Sequence, residues 1–514
     1  MTGTIDEAAR HYAARDLGQA AQVCLEIIRD DPLHFDALHL LGVICTNQGQ
    51  HADGISYLLR AEALQSNNGR LWANLGAAFG AVQRFDKAVH AYQRALALNY
   101  RDAGVLNNMG LALQGLERRQ DALDTFRDAL EFDHANDPAL YNLARAQVAS
   151  GNLMEGEAEF RRLEARLAPD TPVERIAEVT NELARAVADQ GRTEASLEIL
   201  RAAAAQHPDI VSFRWHEALL LLQLGRFKEG WAAYETRWDA PGHDRAHPDY
   251  GVLDLHRVAE QRVLVKGEQG RGDVIQFLRY IRPLAARGAR VTLSVYQDLV
   301  PLALEMAEVE RVVGPEDDEA AYDRLTAVMS LPLAFDTAIA TIPAKVPYLR
   351  APAARIGRMR HHLGVKTAPR IGLVWSGSSA SLTRSAMPSA ALEPLLLRAG
   401  VEFHCLQKEI RTDDRAWLER TGVVTTHEAM LRDFGDTAAL IEAMDLVISI
   451  DTAVAHLAGA LAKPVWIMLP FNPDWRWLLG RDDSPWYPTA RLFRQPVRGD
   501  WGSVLRSVAA SLQL

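Results

Sequence analysis

The chain has 514 residues, 24% of them charged and 48% hydrophobic, a length that suggests about three domains, each able to bury a core. Its 56 basic and 66 acidic side chains leave a net charge of −10. That argues against nucleic acid as the main partner, because phosphate binding needs a basic surface. Three cysteines, Cys24, Cys45 and Cys405, exclude a disulfide framework and have no zinc-site spacing. The start, MTGTIDEAARHY, lacks the basic-then-apolar order of a signal peptide. Asp451, His456 and Lys463 interrupt the longest apolar run before it reaches the ~20 residues of a membrane span. A cytoplasmic protein without a membrane span is expected.

The first half is periodic. Gly42, Gly76, Gly110 and Ala144 lie 34 residues apart, as do Gly54, Ala88, Ala122 and Gly156, and Leu58, Tyr92, Phe126 and Phe160 keep the same register. The spacing resembles the tetratricopeptide repeat, two antiparallel helices per unit. Small residues let the two helices approach, and large ones at the Tyr92 position fill the gap towards the neighbouring unit. The register slips once, from Ala144 to Ala184, which places an insertion around 163–175. Pro32 and Pro208 stand where proline stops a second helix. Degenerate copies at Ala8, Ala20 and Cys24 and at Ala218, Gly230 and Tyr234 read as caps. Cys24 and Cys45 fall at core positions. Such an array is either a concave peptide-binding surface or a spacer or oligomerisation arm.

Beyond Trp238 the chain loses its apolar period. The stretch holding His243, His247 and His256 reads as a connecting loop, with a metal site as the other possibility. Strands and helices then alternate. RVLVKG (262–267) and ARVTLSV are predicted strands around the helix VIQFLRYIRPLAARG, and AFDTAIA (334–340) is predicted to add another strand. A second series runs through RIGLVWSG (370–377), VEFHCLQ (401–407), a helix near DTAALIEAM, DLVISI (445–450) and KPVWIMLP (463–470). Two such series joined near 350–368 read as two Rossmann-like domains, whose ligands bind beyond the carboxyl ends of the strands. The domain limits are 1–240 for the repeats, 241–259 for a linker, and 260–355 and 366–514 for the two α/β domains.

Four post-strand loops can carry chemistry. In GEQGRGD (267–273), Gly270 and Gly272 permit close backbone approach, and Asp273 opens a helix either as its cap or as a general base facing the cleft. The third glycine of a dinucleotide fingerprint is absent, Ile275 standing in its place. WSGSSASLTRS (375–385), with Trp375, Ser376, Gly377, Arg384 and Ser385, can cradle phosphate, unless Arg384 is only a surface charge. Gln407 and Lys408 follow a predicted strand, Lys408 being a phosphate or ribose contact or a solvated lysine. Asp451 and Thr452 start a helix whose amides suit a diphosphate, and His456 shares a face with Thr452. A lone histidine there is otherwise a hydrogen-bonded structural residue. Trp475, Trp477 and Trp486 serve the core or stack on a sugar or base. No two aspartates lie two residues apart, so the Asp-x-Asp signature of metal-dependent sugar transferases is absent.

Taken as a set over roughly 260–514, Gly272-Asp273, Trp375-Ser376-Gly377 with Arg384-Ser385, Gln407-Lys408 and Asp451-Thr452 with His456-Leu457 resemble a heptosyltransferase-like GT-B glycosyltransferase. The resemblance implies an all-α tetratricopeptide solenoid followed by an α/β GT-B module of two Rossmann-like domains. It also implies Asp273 as base and a C-terminal domain that binds a nucleotide sugar without metal or other cofactor. Heptosyltransferases lack a repeat array, so their lipopolysaccharide acceptor does not transfer. The whole arrangement is similar instead to bacterial flagellin glycosyltransferases. By that resemblance the repeats recognise flagellin, and a nonulosonic acid such as pseudaminic or legionaminic acid, carried on CMP, passes to Ser or Thr. A non-catalytic scaffold and a transferase acting on a glycolipid or polysaccharide are the alternatives.

Overall fold

Side chains at 34-residue spacing begin the helices of the first half. His34 accepts from Ala37 N (3.3 Å), Asn68 from Leu71 N (3.1 Å), Asp102 from Val105 N (2.7 Å) and Asn136 from Ala139 N (2.9 Å). Each acceptor satisfies one of the amides that a helix start leaves without a partner. The turns inside the hairpins repeat too, with Gly49, Gln83, Glu117 and Gly151 all at positive φ. Glycine takes that conformation freely, whereas Gln83 and Glu117 each carry about 1 kcal/mol of strain.

The computed structural model describes residues 4–239, 250–314, 319–377 and 387–512, which divide into two units, Met1–Val187 and Ala188–Leu514. In the first unit the small-to-large pairing seen in the sequence is direct. A Cβ on Gly76 would lie 2.6 Å from the Tyr92 ring, one on Gly110 2.5 Å from Phe126, and one on Gly42 2.6 Å from Leu58. Cys24 and Cys45 are buried, and burial pushes the Cys24 thiol up to about 11. Residues 165–172, between helices Leu153–Glu164 and Val173–Ala188, hold the extra residues of the register slip.

The second unit contains two parallel sheets. The first comprises β1 (Arg262–Lys266), β2 (Arg290–Ser294), β3 (Val309–Val313) and β4 (Arg324–Ala327), in the order β3-β2-β1-β4. The second comprises β5 (Arg370–Val374), β6 (Glu402–Cys405), β7 (Val424–Thr425), β8 (Leu446–Ile450), β9 (Val465–Leu469) and β10 (Ala490–Arg494), in the order β10-β9-β8-β5-β6-β7. AFDTAIA is not a strand. Asp336 turns the chain at φ +46, the Thr337 hydroxyl is hydrogen-bonded to that of Tyr280 (2.8 Å), and a 3-10 turn follows at Ile339–Thr341. The sheet position goes to β4, only four residues long, whose pattern is too short to register.

Helices Thr193–Gln206, Val211–Gln223 and Phe227–Tyr234 belong to this unit. Trp231 sits edge-on to Trp475 at 5.3 Å and to Phe277 at 5.8 Å, and Phe227 stacks on Trp486 at 5.8 Å. Arg237, with no exposed surface, donates to both carboxylate oxygens of Glu268 (3.0 and 2.7 Å) and to Ser330 (2.7 Å). The sequence divides the chain at 240, whereas packing divides it at 187/188, because the aromatic face of the last helices is buried among residues of the α/β half. Trp475, Trp477 and Trp486 are core residues, 4%, 0% and 0% exposed.

A chain of imidazoles ties helix Ala353–Leu363 to the second sheet. His362 Nε2 lies 3.1 Å from His427 Nδ1, and His427 Nε2 lies 3.0 Å from His404 Nδ1 on β6. Burial, then His404, His362 and Arg370, push His427 down to about 4. The unfolded chain therefore binds this proton below about 6.5 and the folded chain only below about 4. The contribution of this group is complete above pH 6.5 and falls, by roughly 3 kcal/mol, as pH drops from 6.5 to 4. Calorimetric melting of the wild type and His427→Gln between pH 7.5 and 4.5 should show a shallower pH slope in the variant. In the first unit, Gly76→Ala should cost about 1–3 kcal/mol by overpacking. Adding Tyr92→Leu should return part of it, as read by urea unfolding of the single and double variants.

Candidate functional site

In each parallel sheet the strand order reverses once, between β1 and β4 and between β5 and β8, and loops after strands at such points flank a crevice. Helix Arg271–Phe277 follows β1, helix Ala453–Ala460 follows β8, and the two pack on each other. Gly272 makes the approach possible, since a Cβ there would stand 3.0 Å from His456 Cδ2 and 3.4 Å from Ala453 Cα. Beside this contact lies a cavity of about 230 Å³. Gly272, Asp273, Asp451, Thr452 and His456 line it, together with Asn472, Asp474 and Arg476.

Asp273 is engaged at both carboxylate oxygens. Oδ2 accepts from Gly270 N (2.7 Å), closing the helix start, and Oδ1 forms an ion pair with Arg476. Asp273 thus caps its helix and also lines the cavity. Arg476 also donates to Asp474 Oδ1 (2.7 Å) and lies over the Trp475 ring at 4.1 Å. Burial works against its charge, but Asp273 and Asp474 outweigh burial and hold the guanidinium more firmly protonated than an ordinary arginine. Asp451 has no such partner. His456 Nε2 is 3.7 Å from it, and burial, with Asp474 next, pushes its carboxyl up to about 7. His456 is stacked on Trp477 at 5.1 Å, its Nδ1 is 2.9 Å from the Tyr487 hydroxyl, and burial, then Arg476 and Arg279, keep it neutral. Thr452 caps helix Ala453–Ala460 without a side-chain bond to its amides, its hydroxyl lying instead 3.1 Å from that of Ser449. In its first turn the Ala455 and His456 amides donate to the Thr452 carbonyl (3.0 and 3.3 Å), and a helix start of this kind favours negative charge.

The remaining predicted residues gather apart from this cavity. Gln407 accepts from Trp375 N (2.8 Å) and Ser376 N (3.0 Å) and donates to Ser376 Oγ (2.9 Å), so it shapes the loop after β5. Trp375 is wholly buried, and Gly377 is exposed. Arg384 and Ser385, like His243 and His247, lie outside the described residues. Lys408 is exposed and donates to the Arg432 carbonyl (2.9 Å), at the edge of a second cavity of about 530 Å³ that Arg271, Tyr296 and Arg432 help to line. Asp474 and Arg476 are cavity residues that the loop motifs do not mark. The signal was the alternation Asp474-Trp475-Arg476-Trp477, in which the aromatics enter the core and the charged residues line the cavity. In the repeats, Asn74, Asn108 and Asn142 also recur every 34 residues. Among the described residues no cluster of His, Cys, Asp or Glu is arranged to hold a metal ion, and no helix is long and apolar enough to cross a membrane.

Residues 5–68, 74–140 and 181–243 match the family model described as tetratricopeptide repeat, and the chain carries these repeats ahead of its parallel sheets. Protein FlbA of Caulobacter vibrioides is 30% identical over 382 residues, which is 68% of this chain and 62% of FlbA, so the chain spans less than two thirds of that relative's length. Two solved structures are similar to part of the chain. YrrB, described as a TPR protein with an unusual peptide-binding site, is 17% identical, with 37% of this chain and 95% of YrrB covered at a TM-score of 0.32. A tetratricopeptide repeat protein from Parabacteroides merdae is also 17% identical, with 47% and 93% covered at a TM-score of 0.37.

Because its folded value is raised, Asp451 costs the folded state stability as pH climbs from about 4 through about 7, where its buried carboxyl must ionise beside Asp474. Asp451→Asn removes that cost. Its melting temperature should exceed the wild type's at pH 8 and match it near pH 4.5, as measured by scanning calorimetry.

Proposed function

We propose that the chain is a protein O-glycosyltransferase whose second half is a GT-B module, catalysing metal-independent inverting transfer from a nucleotide sugar to Ser or Thr of a protein recognised by the repeats. The observation that carries this reading is the single cavity in which Asp273, after the first strand of one sheet, faces Asp451 and the open helix start at Thr452, after a strand of the other. The nonulosonic-acid donor, its CMP carrier and the flagellin acceptor rest on the resemblance of the loop set and domain order. Asn74, Asn108 and Asn142 support a peptide acceptor, because side-chain amides both donate to and accept from an extended backbone. The setting expected for such a reaction is the cytoplasm.

In this mechanism Asp273 Oδ1 takes the proton of the acceptor hydroxyl as its oxygen attacks the anomeric carbon. The bond from that carbon to the phosphate oxygen breaks, and its electrons leave with the nucleotide. The first amides of helix Ala453–Ala460 stabilise the charge that develops on the phosphate, and Arg384 is the further cation the loop set offers it. Holding both substrates contributes as much as the base, by turning an encounter into an oriented pair. A non-catalytic scaffold is the second reading, favoured by one observation: Asp273 is already engaged by Arg476 and Gly270.

Calorimetric titration with CMP, UDP, GDP and ADP separates the two readings. CMP binding supports a nonulosonate transferase, preference for another nucleotide changes the donor, and no binding supports the scaffold. With the matching sugar nucleotide and acceptor, Asp273→Asn should lower the transfer rate by about 10²–10⁴ without weakening nucleotide binding. Wild-type turnover in that variant would remove Asp273 from the role.

A further inference from the structure

The cavity contains three carboxylates, Asp273, Asp451 and Asp474, and one cation, Arg476. A phosphate entering it meets net negative charge unless that cation turns to it. Arg476 is equipped to do so. Its side chain is 10% exposed, and its guanidinium face is fixed over Trp475 at 4.1 Å. Nη1 is held by Asp474 at 2.7 Å, Nη2 by Asp273, and Nε is buried with no hydrogen-bond partner. Nε and Nη2 form one edge of the guanidinium, the edge that grips a phosphate through two parallel bonds. Half of that edge is spent on Asp273 and half on nothing.

We propose that Arg476 binds the phosphate of the incoming donor through its Nε/Nη2 edge, and that its ion pair with Asp273 is a latch which that phosphate opens. This rests on the transferase reading. The latch needs no large movement, because Arg476 keeps Trp475 and Asp474 while Asp273 alone lets go. Asp273 keeps its Oδ2 bond to Gly270 N, so its helix stays capped. Its Oδ1 becomes free for the acceptor proton only when a donor is bound. The site is thereby held closed to proton abstraction until a donor is bound.

Two substitutions pull in opposite directions. In calorimetric titrations of the full chain with CMP, UDP, GDP and ADP and with the four corresponding nucleosides, Arg476→Gln should weaken the nucleotide that binds the wild type by about ten- to a hundredfold. It should leave the nucleoside unchanged, and Arg476→Lys should fall between. Asp273→Asn frees the guanidinium and should tighten the same nucleotide by about three- to tenfold, again without moving the nucleoside. Should Arg476→Gln not fold, Asp273→Asn decides the matter by itself. Unchanged nucleotide affinity in Arg476→Gln, or weakened affinity in Asp273→Asn, overturns the latch and leaves the transferase reading standing. A wild type that binds none of the nucleotides overturns both.

Discussion

The close approach of two helix starts, at Gly272 and Ala453, is the constraint on which the candidate site depends. One helix follows the first strand of the four-stranded sheet, and the other follows a central strand of the six-stranded sheet. A Cβ at 272 would crowd His456 and touch the Ala453 backbone, so the loops that carry Asp273 and Asp451 would have to give by a few tenths of an ångström. With glycine there, the two helix starts converge on one small space. Arg476 then bonds Asp273 and Asp474 at once, and Asp451 is near enough to feel the charge of all three.

That convergence is supported from behind by an aromatic layer. Trp231 and Phe227, on the last repeat helix, pack on Phe277, Trp475 and Trp486. Trp475 is the residue on which the Arg476 guanidinium rests. The end of the helical array is therefore part of the platform that orients a cavity side chain. Gln223 adds to it by donating to Asn472 Oδ1 and the Pro473 carbonyl, both at 2.7 Å, which fixes the chain immediately before Asp474 and Arg476. The last helices thus act on the loop geometry of the α/β half while keeping the repeat pattern of the first.

The periodic parts of this architecture were legible in the sequence because they obey local rules. A 34-residue period with glycine opposite a large residue has one packing solution, and the structure contains it at Gly42, Gly76 and Gly110. Long apolar runs such as 262–267 and 445–450 are strands in the centre of a parallel sheet. What escaped was short or depended on distant contacts. Strand β3, VERVV, is an edge strand with Glu310 and Arg311 exposed, so its alternation does not read as buried. AFDTAIA has the composition of a strand, but the tertiary bond from Tyr280 to Thr337 and the turn at Asp336 override it. At the site, glycine and aspartate after strands were visible, since that chemistry is local. Arg476 was hidden among tryptophans, because its partner Asp273 lies 203 positions away.

Charge in the cavity obeys a simple economy. Asp273 and Asp474 share the single guanidinium, and Asp451 is left with a neutral histidine at 3.7 Å. Three carboxylates around one cation cannot all ionise in so little water without repelling one another. The proton goes to the carboxylate with the poorest partner, and Asp451 is pushed up to about 7 for that reason. A neutral carboxyl can donate a hydrogen bond where its ionised neighbours can only accept. At neutral pH the cavity therefore holds one cation shared by two carboxylates and, in Asp451, a carboxyl that can still donate a hydrogen bond.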